Sequence, residues 1–344
     1  MSRGVSAMEI KLSIAIPTYN GVQAIRETLD SIVSQLEEGV EIVVSDNAST
    51  DGTAEIIREY QAMYPLIRYF CNDENVGADR NFDLAVRRAK GEYVWLFSDD
   101  DKIAAGGIRK VMSVLQAHSD LAVVFINYAV YSSDLRKCLK ERVLEKKNDL
   151  YCENADRFLA VVKIAPVFVS SNVIRRALWE QTNSEFYIGT NWIHYGTMLS
   201  LLPGHPSYYV SFPYVLLRSG GLRWKRDGIQ LIYGCELIKI IRECPKLGYS
   251  THSTREALNV MLHSLPMTII GCKLEGLSVT RLLLGKIVKH YAHYPSFWIR
   301  DLALLLLPSI FYKLVWELYK IPLLRNFYKR SKFLIQHKWI RKQL

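Results

Sequence analysis

The sequence predicts a doubly wound α/β fold: a mostly parallel sheet with helices on both faces, followed by a mainly helical C-terminal region. Three observations carry that expectation. Apolar runs of strand length alternate with amphipathic stretches of helical spacing over the first 130 residues or so. Each run stops in a short polar, turn-forming segment, and connections this short between strands and helices favour parallel, right-handed crossovers. After Gly220 and Gly221 the apolar pattern turns helical almost to the end.

Taken in order, residues 12–16 form a first apolar strand, closed by Pro17-Thr18-Tyr19-Asn20-Gly21, and a helix follows to about residue 35. Residues 41–45 make a second strand, ending in the polar run from Asp46 to Thr53 and leading into a helix with Ile56, Ile57 and Tyr60 on one side. A third strand (66–70), a third helix (79–89) and a fourth strand (93–97) complete the repeating pattern. Residues 121–131 and 167–174 read as further strands, and the charged stretch 135–149 as a loop or extended hairpin. A mixed segment follows over 185–202 and 207–217, then helices over 229–241, 254–270 and 281–291.

The fourth strand sets the chemistry. Tyr93-Val94-Trp95-Leu96-Phe97 contains no alternating polar residue, which suits a strand buried on both faces, and it runs directly into Ser98-Asp99-Asp100-Asp101. Ligands of open α/β sheets bind where strands end at their carboxyl edge. Three adjacent acids there repel one another and lose hydration, so they call for a cation. A divalent metal that itself carries a diphosphate answers that need; a solvated acidic turn, or Asp101 as a helix cap, is the plainer alternative. The fold would also bring Tyr19 and Asn20, Asp46 and Asn47, and residues 75–81 to the same crevice.

Composition narrows the classes. Apolar residues make up 49% and charged residues 23%, as in a globular chain. Six scattered cysteines with no CxxC spacing form neither a zinc site nor a disulfide framework, which fits a reducing compartment. No GxGxxG or GxxxxGK[ST] follows a strand, which argues against nicotinamide and P-loop chemistry. Residues 1–9 lack the apolar core of a signal peptide. The net charge of +10 is local: residues 295–344 hold ten Lys/Arg against Asp301 and Glu317, while the rest carries 34 bases and 32 acids. A basic tail points to a local anionic partner and not to a nucleic-acid-binding body.

The residues resemble the GT-A fold (Rossmann-like) glycosyltransferases of family 2. The resemblance lies in Ile16-Pro17-Thr18-Tyr19-Asn20, in the run from Val44 to Thr53, in Asn75-Val76-Gly77, and in Ala89-Lys90-Gly91-Glu92-Tyr93 leading to the acids. Gly77-Ala78-Asp79-Arg80-Asn81-Phe82 and the acid run look most like the abequosyltransferase-like branch, which adds deoxysugars to bacterial O-antigen and similar surface glycans. The resemblance implies that Pro17, Tyr19, Asn20 and Asp46 contact the nucleotide, with Asn75, Arg80, Asp99 and Trp192 as further donor-binding candidates. For Asp46 alone, an Asx turn is the competing structural role; Asn47 and Asp51 are expected to cap the second helix.

The family pattern is Asp-x-Asp-Asp, and Ser98 stands where its first Asp is usual. Either Asp99 and Asp101 form the Asp-x-Asp pair, or Asp100 holds the metal while Asp99 takes the ribose; Asp100 is the preferred ligand, and Mg²⁺ or Mn²⁺ the expected ion. Family members commonly place a carboxylate base at a helix start in the second half, where this chain has residues 187–195 without one. The candidates for catalysis are therefore His194, Glu185 and Asp101, with His194 alternatively a metal ligand or a packed histidine. The family implies inversion of the anomeric centre.

The expected organisation is a catalytic domain over 1–220 (nucleotide-sugar half 1–130, acceptor half 131–220), a helical region over 221–294, and a basic amphipathic tail over 295–344. Pro308, Lys313 and Glu317 interrupt the tail's apolar run, so it reads as interfacial helices on anionic lipid. Packing of those helices against the catalytic domain or another subunit is the alternative. Arg218, Arg223 and Trp224 flank Gly220-Gly221 as a loop able to close over the donor. The expected partners are a nucleotide-sugar donor, a lipid-linked glycan acceptor and the inner face of a bacterial plasma membrane, in the cytoplasm, with no nucleic acid. A nucleotidyltransferase would release pyrophosphate, and an inactive nucleotide-binding scaffold would show no turnover.

Overall fold

The computed structural model describes residues 10–220 and 229–320. Its strands are β1 (Leu12–Thr18), β2 (Val40–Asp46), β3 (Ile67–Cys71), β4 (Tyr93–Leu96), β5 (Lys102–Ile103), β6 (Val123–Tyr131), β7 (Cys138–Lys140), β8 (Leu150–Cys152), β9 (Asn172–Arg175) and β10 (Ser207–Arg218). The helices of the first half are α1 (Ile25–Val33), α2 (Thr53–Met63), α3 (Ala78–Arg88) and α4 (Gly107–Ala117). They are followed by α5 (Ala155–Val162), α6 (Arg176–Gln181), α7 (Ile193–Leu201), α8 (Ile229–Glu243), α9 (Thr251–Leu274), α10 (Arg281–Tyr291), α11 (Leu302–Leu306) and α12 (Ser309–Lys320). Two compact units result, one from the residues up to Ser219 with Glu243–Ala257, the other from Gly220–Arg242 with Leu258 onward.

The first unit is one sheet in the order β3-β2-β1-β4-β9-β6-β10-β5, with β7 and β8 pairing off β6 and β10. From β3 to β4 every pairing is parallel, as the alternation of strands and helices requires. β9 then enters antiparallel to both β4 and β6, so the sheet becomes mixed in its second half. The residues of β1 and β2 are all buried, apolar ones on both faces, which is why these strands read as continuous hydrophobic runs. The polar intruders are matched to one another: the Ser13 hydroxyl donates to Glu41 (2.6 Å), which also accepts from the Lys90 backbone N–H (2.6 Å) and from Arg68 (3.2 Å).

α3 shows how a helix directs one end toward a site. Its buried residues are polar in the first turn, Asp79 and Asn81, and apolar further on, Ala85 and Val86. The apolar end packs on the sheet, and the polar end meets the carboxyl edge of β1 and β2, where the Asn81 side-chain amide donates to the carbonyls of Ser45 (2.8 Å) and Thr18 (3.4 Å).

Two local expectations differ. Residues 167–174 do not form one strand; they form 3₁₀ turns at Ala165–Val167 and Val169–Ser171 before the short β9. Pro166 lacks an N–H, and the Asn172 and Ser171 side chains bond to carbonyls of this segment, offering it turns in place of a ladder. β10 runs one residue beyond the expected strand, and its pairing with β6 shifts register between Val210 and Val215, around Pro213.

The second unit is helical, with Ile238, Ile241, Ile269, Ile287, Phe297 and Leu305 fully buried. The Tyr291 and Phe297 rings stack with centroids 6.2 Å apart. α9, 24 residues with Pro266 inside, is long and apolar enough to cross a membrane by length and composition alone. The expected tail helix breaks at Pro308 into α11 and α12, and the rest of it lies outside the described residues.

Candidate functional site at the carboxyl edge of the sheet

Parallel register aligns the ends of β1 and β2, placing Thr18 beside Asp46. The Thr18 hydroxyl donates to Asp99, which ties the turn after β4 to the same edge. Asp46, Asp99 and the start of α3 therefore share one crevice edge, as the alternating pattern requires.

The three acids after β4 are not equivalent. Asp100 is the partly exposed one, held by the Ser98 hydroxyl (2.5 Å). Asp99 is buried against Thr18. Asp101 is buried with both oxygens taken, Oδ1 by the Arg218 backbone N–H (3.0 Å) and Oδ2 by the Ser170 hydroxyl (2.6 Å). Burial, reinforced by the Asp100 charge, raises the Asp101 pKa well above the ordinary carboxylate value. The expectation of Asp101 as a metal ligand or catalytic group thus meets a carboxylate that faces the interior. Thr28 completes the support by donating to the backbone carbonyls of Asp99 (2.9 Å) and Asp101 (2.8 Å).

Among the described residues no three His, Cys, Asp or Glu side chains converge as a ligand set. The donor set fits a divalent ion held mainly by Asp100, with Asp99 close by and a diphosphate supplying the remaining oxygens. It does not fit a three-carboxylate cage.

Arg218 is anchored: Nε donates to the Asp100 carbonyl (2.8 Å), Nη1 to the Ser133 carbonyl (2.7 Å), and Nη2 to Glu27 (2.8 Å). This pairing, with Lys102 adding to it, holds the Glu27 carboxyl below its ordinary pKa. Arg218 is therefore a strut under the acid turn and no part of a loose loop; Arg223 and Trp224 lie outside the described residues.

At the end of β2, Asp46 accepts from the Ser49 N–H (2.9 Å), the Ser49 hydroxyl (2.5 Å) and the Tyr69 hydroxyl (2.7 Å). The Asx-type turn named as the competing role for Asp46 is therefore present. Asp51 takes the Thr53 N–H (3.1 Å) from one position before the N-cap of α2, which is Gly52 with no side-chain cap. Asn47 does not cap it either: it accepts from the Val76 N–H (2.9 Å) and donates to Asn75 (2.8 Å), stitching β2 to the loop before α3. Asn20 accepts from the Thr50 N–H (2.8 Å). Pro17 lies within β1, opposite Ser45, while Tyr19 is exposed at the rim. Asn20, Ala48 and Asn191 all adopt left-handed backbones, an uncommon conformation for side chains with a Cβ and one that gathers at functional sites.

The opposite wall comes from the segment before α7. Asp79, from α3, accepts the N–H groups of Asn191 (2.8 Å) and Ile193 (3.3 Å), capping α7 across 112 and 114 residues. Burial raises its pKa, and those backbone donors oppose the rise. His194 is also buried; its Nε2 donates to the Val167 carbonyl (2.9 Å), leaving Nδ1 without a partner among the described residues. Phe82 and Trp192 stand 5.9 Å from its ring, and burial lowers its pKa to about 4. The arrangement is that of the packed, hydrogen-bonded histidine. Glu185 and Arg80, both exposed, form a two-point ion pair (3.3 Å each) with one another across the crevice. Trp192 is half-buried, and Asn75 is exposed.

Sequence reasoning missed Thr18, Thr28, Ser170 and the structural use of Asp79 and Asn81. Asp79 and Asn81 carried a faint signal as polar residues on the apolar side of α3; Thr28 and Ser170 carried none.

Comparisons with known proteins give the family and the fold. The family model described as Glycosyl transferase family 2 matches residues 13–191. Abequosyltransferase RfbV of Salmonella typhimurium is 30% identical over 240 residues, 63% of this chain and 69% of that one. GalNAc(5)-diNAcBac-PP-undecaprenol beta-1,3-glucosyltransferase of Campylobacter jejuni is 29% identical over 181 residues, 52% of this chain and 56% of that one. Among solved structures, S. aureus TarS 1-349 superposes with a TM-score of 0.54 at 15% identity, covering 85% of this chain and 92% of that one. Mannosyltransferase PcManGT from Pyrobaculum calidifontis, in complex with GDP-Man and Mn²⁺, gives 0.53 at 17% identity, covering 91% and 90%. The chain is a GT-A fold glycosyltransferase and belongs to glycosyl transferase family 2.

Proposed function

We propose that the protein moves one sugar, a deoxyhexose or hexose, from a nucleotide-sugar to a hydroxyl of a lipid-linked oligosaccharide in bacterial surface-glycan synthesis, with inversion. The observation that carries this reading is the graded acid turn at the carboxyl edge: one accessible carboxylate, Asp100, flanked by two buried ones. The names of the two curated relatives, an abequosyltransferase and a glucosyltransferase acting on an undecaprenol-linked glycan, favour the same substrate classes.

Mg²⁺ or Mn²⁺, bound by Asp100 with Asp99, would neutralise charge on the departing diphosphate. The chain's own residues do the rest. Thr18, Thr28, Ser98, Ser170 and Arg218 fix the acid turn before the donor arrives, so no reorganisation is needed as charge develops. The Asp46 turn and exposed Tyr19 offer a bed for base and ribose. Arg80 and Glu185, paired at the rim, can exchange each other for donor phosphate and acceptor hydroxyl, which makes Glu185 the better-placed proton acceptor and leaves His194 to packing. A basic tail over 295–344 would hold the enzyme peripherally at the inner membrane face, near its acceptor.

The test is a thermal-shift panel of UDP-, GDP-, CDP- and dTDP-sugars, each with Mn²⁺ or chelator. One nucleotide class should stabilise the protein only with metal, by about 2.7 kcal/mol at a hundred times its Kd. Asp100→Asn should abolish that response with the unliganded melting point nearly unchanged, as for a partly exposed substitution that keeps the Ser98 bond. Metal-dependent stabilisation persisting in Asp100→Asn would remove the metal assignment.

A further inference from the structure

The helical unit contains a cavity of about 450 Å³ that sugar transfer does not use. It lies between the end of α9, the start of α10 and the turn joining α11 to α12. Its lining holds three cations, Lys273, Arg281 and Lys313, and no carboxylate. Lys273 is 4% exposed, and among the described residues its ammonium meets no hydrogen-bond acceptor or acid. Its stem is enclosed, and partial burial lowers its pKa. A cation with no acid partner, set at the wall of a cavity lined by two further cations, favours an anion from outside the chain.

Two further features sharpen the ligand. The N-terminus of α10, an 11-residue helix capped by Thr280 (3.2 Å to the Leu283 N–H), opens at the same cavity, and its dipole favours negative charge. The surroundings are apolar as well as cationic: Leu277, Leu284 and Leu305 line the cavity, while Leu282 (73%), Leu306 (61%), Ile310 (61%) and Leu314 (57%) lie exposed beside its basic residues. A free phosphate ion would have no use for that greasy margin. A phosphate bearing alkyl chains would use both parts.

We propose that this cavity binds the phosphate headgroup of an anionic lipid, with Lys273 at its floor, Arg281 and Lys313 at its mouth, and the exposed leucines and Ile310 against the acyl chains. The inference concerns a different part of the chain from the transfer site and does not rest on the transferase reading.

The test uses the full chain and monomeric short-chain lipids in calorimetric titrations, so that the tail's general attraction to vesicles does not enter. Dihexanoyl phosphatidic acid should bind one per chain, about tenfold or more tighter than either inorganic phosphate or dihexanoyl phosphatidylcholine, the scale expected for charge-assisted contacts combined with apolar burial. Lys273→Met should weaken that binding about tenfold or more, as losing a buried charged partner does. Because a buried site was altered, the exposed double variant Arg281→Ala/Lys313→Ala is measured alongside and should also lose affinity at an unchanged melting temperature. Undiminished binding in both variants would overturn the site, and inorganic phosphate binding as tightly as the lipid would overturn the lipid assignment.

Discussion

Acidification should expose the burial of His194. The ring is enclosed at the start of α7 and its Nε2–H is committed to the Val167 carbonyl, so taking up a second proton means charging an imidazole in the interior. Its pKa falls from 6.5 to about 4. A histidine whose folded pKa lies below its unfolded value binds fewer protons when folded; its contribution is complete above pH 6.5 and drains away as pH falls toward 4. The full gap corresponds to about 3 kcal/mol, and the part lost between pH 7 and pH 5 to about 2 kcal/mol. For a unit of this size that is roughly 4–8 °C of melting temperature. The comparison is with His194→Gln, which keeps an N–H donor and does not titrate, while every other ionisable group stays common to both proteins. Wild type should lose those extra degrees between pH 7 and pH 5. Parallel curves for the two would refute the enclosed, neutral histidine and return the ring to solvent or substrate.

Two substitutions probe the same wall. Gly196→Ala, in the middle of α7, improves helix propensity by about 1 kcal/mol, yet its Cβ would fall 2.4–2.6 Å from the Tyr187 ring, which is buried and pinned by the Ser200 hydroxyl (2.6 Å). Overpacking of that kind costs about 1–3 kcal/mol, so the melting temperature should drop, and a rise would show that the ring can move aside. Asp79→Ala removes the cap of α7 and orphans two backbone N–H groups; a loss of about 1–3 kcal/mol is expected. Limited proteolysis should then cut faster between residues 188 and 192, and unaltered cleavage would mean that the segment holds itself.

The parallel half of the fold was legible because its signals are local. In β1, β2 and β3 a short apolar run, a breaker and a following amphipathic helix lie within about 20 residues of one another, and the acids simply follow β4. What escaped depends on partners far along the chain. Nothing near residue 101 announces that Ser170 and Arg218 will occupy both oxygens of Asp101, and nothing near Asp79 announces a helix end more than a hundred residues away. The antiparallel entry of β9 escaped for the same reason: a four-residue strand carries no direction in its own composition. His194 was read through the pKa of a free imidazole, and burial, which sequence does not display, changes that property most.

The late arrival of Arg218 has a consequence for synthesis. The acid turn is made early, but the backbone N–H that holds Asp101 is 117 residues downstream, beyond Ser170 at 69. At about 5–20 residues per second the ribosome needs roughly 6–23 s to supply it. Through that interval Asp101 lacks the Arg218 N–H, and a chain broken off before β10 never acquires it. The acid turn is therefore completed only when the last long strand has joined the sheet.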